Sequence, residues 1–260
     1  MVLDYLVTGA VLMAVLTGLW TASVILANSS IIDSAWGAGF VLCAWSFALL
    51  TDAPLGMVQW LLLGLVTIWG VRLSAYITWR NWGKGEDYRY RQMRDKAGPG
   101  WWWQSYFTVF WLQGLLILII AAPLYFGIAV PRGDGPGVLL GLGLVLWLVG
   151  FAFEAGGDWQ LARFKARPEN RGKVLDAGFW RYTRHPNYFG DAAQWWGFFC
   201  IAAGSPGAWW TLYAPILMTF LLVRVSGVAL LEKGLAERKP AYADYIRRTP
   251  AFVPWLPKRD

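Results

Sequence analysis

Apolar residues in this chain come in long blocks, without the two-residue alternation of half-buried strands. Uncharged or nearly uncharged stretches cover Tyr5 to Ala27, Ile31 to Leu50, Leu55 to Val71 and Trp103 to Val130. At about 1.5 Å per residue, each crosses a hydrocarbon core roughly 30 Å thick as a helix. A fifth block runs from Gly137 to Phe153. The long interval Ala192 to Val223 is split by Gly204-Ser205-Pro206-Gly207, a turn-forming sequence. The pattern predicts an all-α, polytopic membrane protein with seven transmembrane helices. The sixth is short unless it begins near Asn187. The first block is uncharged, long enough to span and lacks a basic leader, so it reads as a membrane helix rather than a cleaved signal.

Charge supports that count. Of 23 Lys and Arg residues, seven lie in Arg72 to Lys96, seven in Arg163 to Arg184 and eight in Arg224 to Arg259, with Arg132 the remainder. With seven helices these segments follow the third, fifth and seventh, which places all three on one side. The positive-inside rule makes that side cytoplasmic, with the N-terminus outside and the C-terminus in the cytoplasm.

Composition narrows the class further. The chain has 260 residues, 57% hydrophobic and only 15% charged, where a soluble domain carries about a quarter charged. Collagen-like, disordered and disulfide-rich classes are excluded, since the chain has 19 Trp residues and only two cysteines, Cys43 and Cys200, both inside apolar runs. No GxGxxG, GxxxxGK[ST] or CxxC occurs, and His185 is the only histidine, which rules out multi-histidine metal sites. No nucleic-acid or obligate protein partner is indicated; the lipid bilayer is the expected environment.

The basic segments mix Arg with Tyr, Trp, Gly and carboxylates. Juxtamembrane charge alone explains their number, as orientation signal and anionic-lipid contact. It does not explain Arg80, Asp87, Tyr88 and Arg89 within Trp79 to Arg91, nor Arg181, Tyr182, Arg184, His185, Asn187 and Tyr188. Guanidinium forks suit phosphates, aromatic faces stack on rings and carboxylates accept ribose hydroxyls. Lipid surface and dinucleotide both remain open at this point. His185 precedes a proline at a helix entrance, which favours a structural role. Asp33, inside the second apolar block, is the conspicuous intramembrane carboxyl, and Arg72 and Asp191 border predicted helices; such groups face a bundle interior and mark function by default.

Arg181-Tyr182-Thr183-Arg184-His185-Pro186-Asn187-Tyr188-Phe189-Gly190-Asp191 resembles the steroid 5-alpha-reductase family, in particular its bacterial members. The resemblance extends to Ile32 to Gly37, Trp69 to Leu73, Gly85 to Tyr90, Asp158 to Lys165, Arg224 to Gly227, Leu231-Glu232-Lys233 and Tyr242 to Trp255. It implies a single membrane reductase domain over residues 1–260, with helices one to three on the substrate side. Segments 72–102, 154–190 and 224–260 would form the cofactor side. The implied reaction is NADPH-dependent saturation of an enone, such as a 3-oxo-delta-4-steroid, and the implied location is a bacterial inner membrane. Family contacts to NADPH map onto Arg72, Tyr76, Asp158, Lys165, Asn187, Tyr188, Arg224, Tyr242 and Tyr245, with Glu232 in the tail. Asp33, Asp191 and Trp69 map onto the catalytic positions. Relatives usually carry Glu where this chain has Asp191, and Lys165 stands where vertebrate members have Arg.

On this reading the cofactor supplies hydride to the β-carbon, and Asp33, as a neutral carboxyl, donates a hydrogen bond to the carbonyl oxygen. Asp191 shares that work or holds the nicotinamide amide with Asn187. Two alternatives stand beside it. Isoprenylcysteine-type membrane methyltransferases share the Arg184 to Gly190 core and use S-adenosylmethionine, but typically carry paired glutamates near Glu232. A non-catalytic lipid-binding protein would keep the charges without requiring Asp33.

Overall fold

The structure is a computed structural model that describes residues 2–133, 137–225 and 240–258. These residues are helical almost throughout, with no strand among them, as required where backbone polar groups must be satisfied without water. Six helices among them are long and apolar enough to cross a membrane: Val2–Ile25, Ser29–Leu50, Met57–Asn81, Tyr88–Ile120, Gly137–Lys165 and Ala208–Val225. The protein is therefore an all-helical, multi-pass membrane protein. The block expected as the sixth of seven spans forms helix Pro186–Ala202, of 17 residues, most of them buried. Pro186 starts it at no cost, because the first helical N–H lacks an intrahelical partner in any case. The expected turn ends it, with Gly207 at a φ of 78°.

The chain divides into two compact units, Met1–Gly133 with Ser205–Gly207, and Asp134–Gly204 with Ala208–Asp260. The first contains α1 (Val2–Ile25), α2 (Ala35–Leu50), α3 (Met57–Asn81), α4 (Tyr88–Ala97), α5 (Trp101–Ser105), α6 (Leu112–Ile120) and α7 (Ala122–Ala129). Two expectations shift here. Asp33 lies not inside a second helix but in a 3-10 turn, Ser29–Ser34, before it. Asn28 accepts from the Ser30 N–H and hydroxyl, and such short polar side chains compete with regular winding. The block Trp103 to Val130 is not one helix. A π turn, Tyr106–Trp111, joins α5 to α6, and the path breaks at Ala121, two residues before Pro123, because proline can neither donate nor fit within a helix interior.

In the first unit α2 and α3 cross backbone to backbone. A Cβ on Gly70 would fall 2.5 Å from the Gly37 carbonyl oxygen, and one on Gly37 would strike the Gly70 carbonyl. Only glycine permits this approach. Asp33 lies one turn before Gly37, and Arg72 two residues after Gly70, so this crossing holds both. Beside it Trp69 and Phe40 are fully buried, their rings 5.7 Å apart.

The second unit contains α8 (Gly137–Lys165), α9 (Pro186–Ala202), α10 (Tyr213–Phe220) continued by a π turn to Val225, and α11 (Pro240–Arg248). Here α8 and α9 run antiparallel along a glycine seam. A Cβ on Gly150 would lie 2.5 Å from the Gly190 carbonyl oxygen, and one on Gly143 would lie 2.8 Å from that of Gly197. Spacing of seven residues on each helix returns the glycines to one face every two turns. With lipid as apolar as the side chains, close packing and polar contacts across the seam hold the pair.

Candidate functional site

In the first unit a chain of hydrogen bonds is centred on Asp33 and Tyr90. The Tyr90 hydroxyl donates to Asp33 Oδ1 at 2.6 Å and accepts from Gln113 Nε2 at 3.2 Å. The indole N–H of Trp36 donates to Gln113 Oε1, which fixes the amide's orientation. Arg89 NH2 donates to Asp33 Oδ2 at 2.7 Å while its Nε donates to Asp87 Oδ1 at 2.9 Å. Asp33 thus accepts from a guanidinium and a phenol. Within this pair the donating hydroxyl is that of Tyr90. Tyr90 is 6% exposed.

The register of α4 makes this arrangement. Asp87 caps the helix, accepting from the Arg89 N–H, so Arg89 and Tyr90 both fall in its first turn and reach the same carboxylate. Burial raises the Asp87 carboxyl, but the Arg89 hydrogen bonds and charge outweigh it and hold the group below the usual aspartate range. Next to it, Glu86 takes a two-pronged grip from Arg94, Nε to Oε2 at 2.9 Å and NH2 to Oε1 at 2.8 Å, and accepts from the Ser29 N–H at 2.7 Å. Burial opposes its ionisation; Arg94 and Ser29 prevail, so its carboxyl also sits below the usual glutamate range. These bonds tie α4 to the turn that carries Asp33.

At the C-terminal end of α3, Arg72 and Arg80 place their guanidinium carbons 5.2 and 5.7 Å from the Tyr76 ring centroid. They stand four residues either side of Tyr76, on one helix face, and form a cation-aromatic ladder. Trp69 lies in the apolar core with Phe40. Tyr88 is exposed.

In the second unit the α8/α9 seam carries a second polar line. Gln194 Nε2 donates to Glu154 Oε2 at 2.6 Å and to the Gly190 carbonyl at 3.3 Å, which leaves its buried Oε1 without a hydrogen-bond partner among the described residues. One turn further along α8, Asp158 accepts from Asn187 Nδ2 at 3.2 Å. Glu154 and Asp158 are 2% and 3% exposed. Asp191, half-buried, lies on α9 between Asn187 and Gln194.

Other expected contact residues are committed to holding the tail. Arg184 NH1 donates to the carbonyls of Ile246 and Thr249, capping α11. The Tyr245 hydroxyl donates to the carbonyls of Trp180 and Thr183, and Tyr242 packs on the Tyr245 ring at 5.6 Å. His185 is buried and stacks on Tyr188, centroids 5.7 Å apart. Lys165, Arg181, Tyr182 and Arg224 are exposed. Glu232 lies outside the described residues.

The structure thus brings Asp33, Asp87 and Arg89 together in one unit, and Asp158 and Asn187 in the other. Sequence reasoning missed Gln113, Glu154 and Gln194, and it named Trp36 and Tyr90 only as parts of motifs. Glu154 had a signal: with Asp158 it forms an i, i+4 acidic pair on an otherwise apolar helix. Gln113 had none, since its role depends on where α6 meets α4.

A family model described as "Protein of unknown function (DUF1295)" matches residues 19–249. An uncharacterized protein of Schizosaccharomyces pombe is 26% identical over 216 residues, 74% of this chain and 62% of that protein. The chain therefore spans less than two thirds of that relative's length. No solved structure matches.

Proposed function

The chain belongs to the DUF1295 family, and from that premise we propose that it is an NADPH-dependent membrane oxidoreductase that saturates the C=C bond of a flat, lipophilic enone of the 3-oxo-delta-4-steroid kind. Seven spans, with the N-terminus outside and the basic segments and C-terminus in the cytoplasm, complete the proposal, and a bacterial inner membrane is its setting. The observation that supports it most is the Tyr90 hydroxyl, held between Asp33 and Gln113 in a unit of membrane helices.

Reduction of an enone puts negative charge on the carbonyl oxygen as the β-carbon gains hydride, and the α-carbon then takes a proton from water, which completes the saturated ketone. Tyr90 serves the oxygen. Gln113 donates to the phenol oxygen, which makes the phenol proton a stronger donor, and Asp33 holds the ring in place until a carbonyl presents itself as the better-placed acceptor. Arg89 holds Asp33 Oδ2, so Asp33 is engaged as an acceptor and positions Tyr90. Preorganised donors of this kind are worth about 10²–10³ in turnover.

The residues present fit a dinucleotide chemically. The orphaned Gln194 Oε1 is a buried acceptor suited to a carboxamide N–H. Within the second unit Asp158 and Asn187 also offer an acceptor and an amide for ribose hydroxyls; within the first, taken by itself, Arg72 and Arg80 carry guanidinium forks of the kind that bind phosphates. When bound, NADPH supplies the hydride.

Two measurements test this reading. Purified protein in detergent is heated with NADPH, NADH or S-adenosylmethionine; stabilisation by NADPH is expected, whereas stabilisation by S-adenosylmethionine alone would make it a methyltransferase and no response would favour a lipid-binding protein. Tyr90→Phe is then assayed for NADPH oxidation against a panel of 3-oxo-delta-4 steroids. A loss of about 10²–10³ in kcat with NADPH stabilisation intact is expected. Turnover within threefold of wild type would remove Tyr90 from the chemistry.

A further inference from the structure

The second unit holds a cavity of about 660 Å³ away from the α8/α9 seam, lined by Asp176 to Gly178, Arg181, Tyr245, Arg248, Thr249 and Leu256 to Lys258. Three cations meet there from segments far apart in sequence. Backbone pairing brings them in: the Trp255 N–H donates to the Tyr182 carbonyl at 2.9 Å, which lays the tail beside Arg181, and the Lys258 N–H donates to the Arg248 carbonyl at 2.9 Å. The one carboxylate in the lining, Asp176, stands 3.9 Å from Arg248 in a long, half-exposed pair, which is worth little. The lining carries net positive charge, so it suits an anion.

Leu256 of the lining is 70% exposed, and Trp255 and Val253, just before it in the chain, are 73% and 63% exposed. A soluble anion gains nothing from an exposed Trp-Leu pair, whereas a lipid does: its phosphate meets the cations while its glycerol and upper acyl chain meet the ring. Gly178 and Arg181 lie on the connection between two apolar helices, and the Phe179 N–H between them donates to Gln160 Oε1 near the C-terminus of α8 at 3.0 Å, so the cleft neighbours a helix end, where lipid headgroups gather. We propose that this cleft is a binding site for the phosphate diester of an anionic phospholipid, with Arg181, Arg248 and Lys258 on the phosphate and Trp255 and Leu256 against the apolar part of the lipid. The assignment does not use the reductase reading, which gives Arg181 and Tyr245 of this lining to the cofactor; the NADPH arm of the test separates the two.

The test uses the full-length protein in neutral detergent, with bound lipid counted by native mass spectrometry. Dioleoylphosphatidylglycerol is titrated against dioleoylphosphatidylcholine, with inorganic phosphate and NADPH as competitors. Arg248→Gln with Lys258→Gln removes two cations from an exposed surface, and helix content by circular dichroism confirms the fold. Wild type retains phosphatidylglycerol preferentially; the double variant loses that preference, by about tenfold or more at roughly fivefold per cation. Trp255→Ala with Leu256→Ala weakens retention of both lipids. Equal retention of the two lipids by wild type, or unchanged preference in the double variant, would overturn the site. Displacement by millimolar inorganic phosphate, with the Trp255/Leu256 variant behaving as wild type, would make it a free-phosphate site, and one-for-one displacement by NADPH would make it part of the cofactor's; either result refutes the lipid assignment.

Discussion

Replacing Gly190 by Ala adds one methyl group at the tightest point of the α8/α9 seam. Its Cβ would fall inside 3 Å of the Glu154 nitrogen and the Gly150 carbonyl oxygen, and 2.8 Å from the Glu154 Cβ. All three are backbone or stem atoms, so no side chain can swing aside; the helices must part. Overpacking of this kind costs about 1–3 kcal/mol. Parting also stretches the 2.6 Å bond from Gln194 to Glu154, and loss of a hydrogen bond to an acidic group adds roughly 1.5–3 kcal/mol. The sum is about 2.5–6 kcal/mol. Gly141, on α8, has nothing within 4 Å of its would-be Cβ, so Gly141→Ala carries only the propensity gain, about 0.5–1 kcal/mol stabilising. Two Gly→Ala changes in one helix pair should therefore move stability in opposite directions. Unfolding of detergent-solubilised protein, followed by circular dichroism against added SDS, reads both. Equal shifts for the two variants, or a Gly190→Ala protein as stable as wild type, would refute the seam.

Two further predictions concern the polar clamps. A carboxyl held below its ordinary range stabilises the fold fully above that range and loses the contribution as pH falls through the folded value. Glu86 and Asp87 are both of this kind, so stability falls as pH drops below the ordinary glutamate range near about 4.3. Glu86→Gln should flatten that acid limb while lowering stability near neutrality by about 1.5–3 kcal/mol; thermal unfolding over a pH series checks it, and an unchanged limb would show that Glu86 does not drive it. Arg184→Lys keeps the charge but loses the planar fork that caps α11. It should speed proteolytic cleavage within residues 240–258 severalfold at unchanged helix content, and wild-type cleavage rates would show that the cap does not anchor the tail.

Block hydrophobicity and charge placement were enough to read an all-helical membrane protein from sequence alone, because a bilayer requires long apolar helices and the basic residues that flank them cluster in sequence. The turn at 204–207 was legible for a similar reason: Gly and Pro act locally. Asp33 stood out as an intramembrane carboxyl, and Asp87 and Arg89 as part of a mixed charged segment. What each does was not legible. Whether Asp33 donates or accepts depends on Arg89 and Tyr90, more than fifty residues away, and on the 3-10 turn that aims it. Gln113 gains its role only where α6 meets α4, and Arg184, expected among the cofactor-binding residues, caps a helix end that exists only once the tail has folded back. Residue type and period 3.6 decide where the helices run; the partners of a buried polar group are decided by which helices touch, and here the glycine contacts Gly37/Gly70, Gly150/Gly190 and Gly143/Gly197 let two backbones meet.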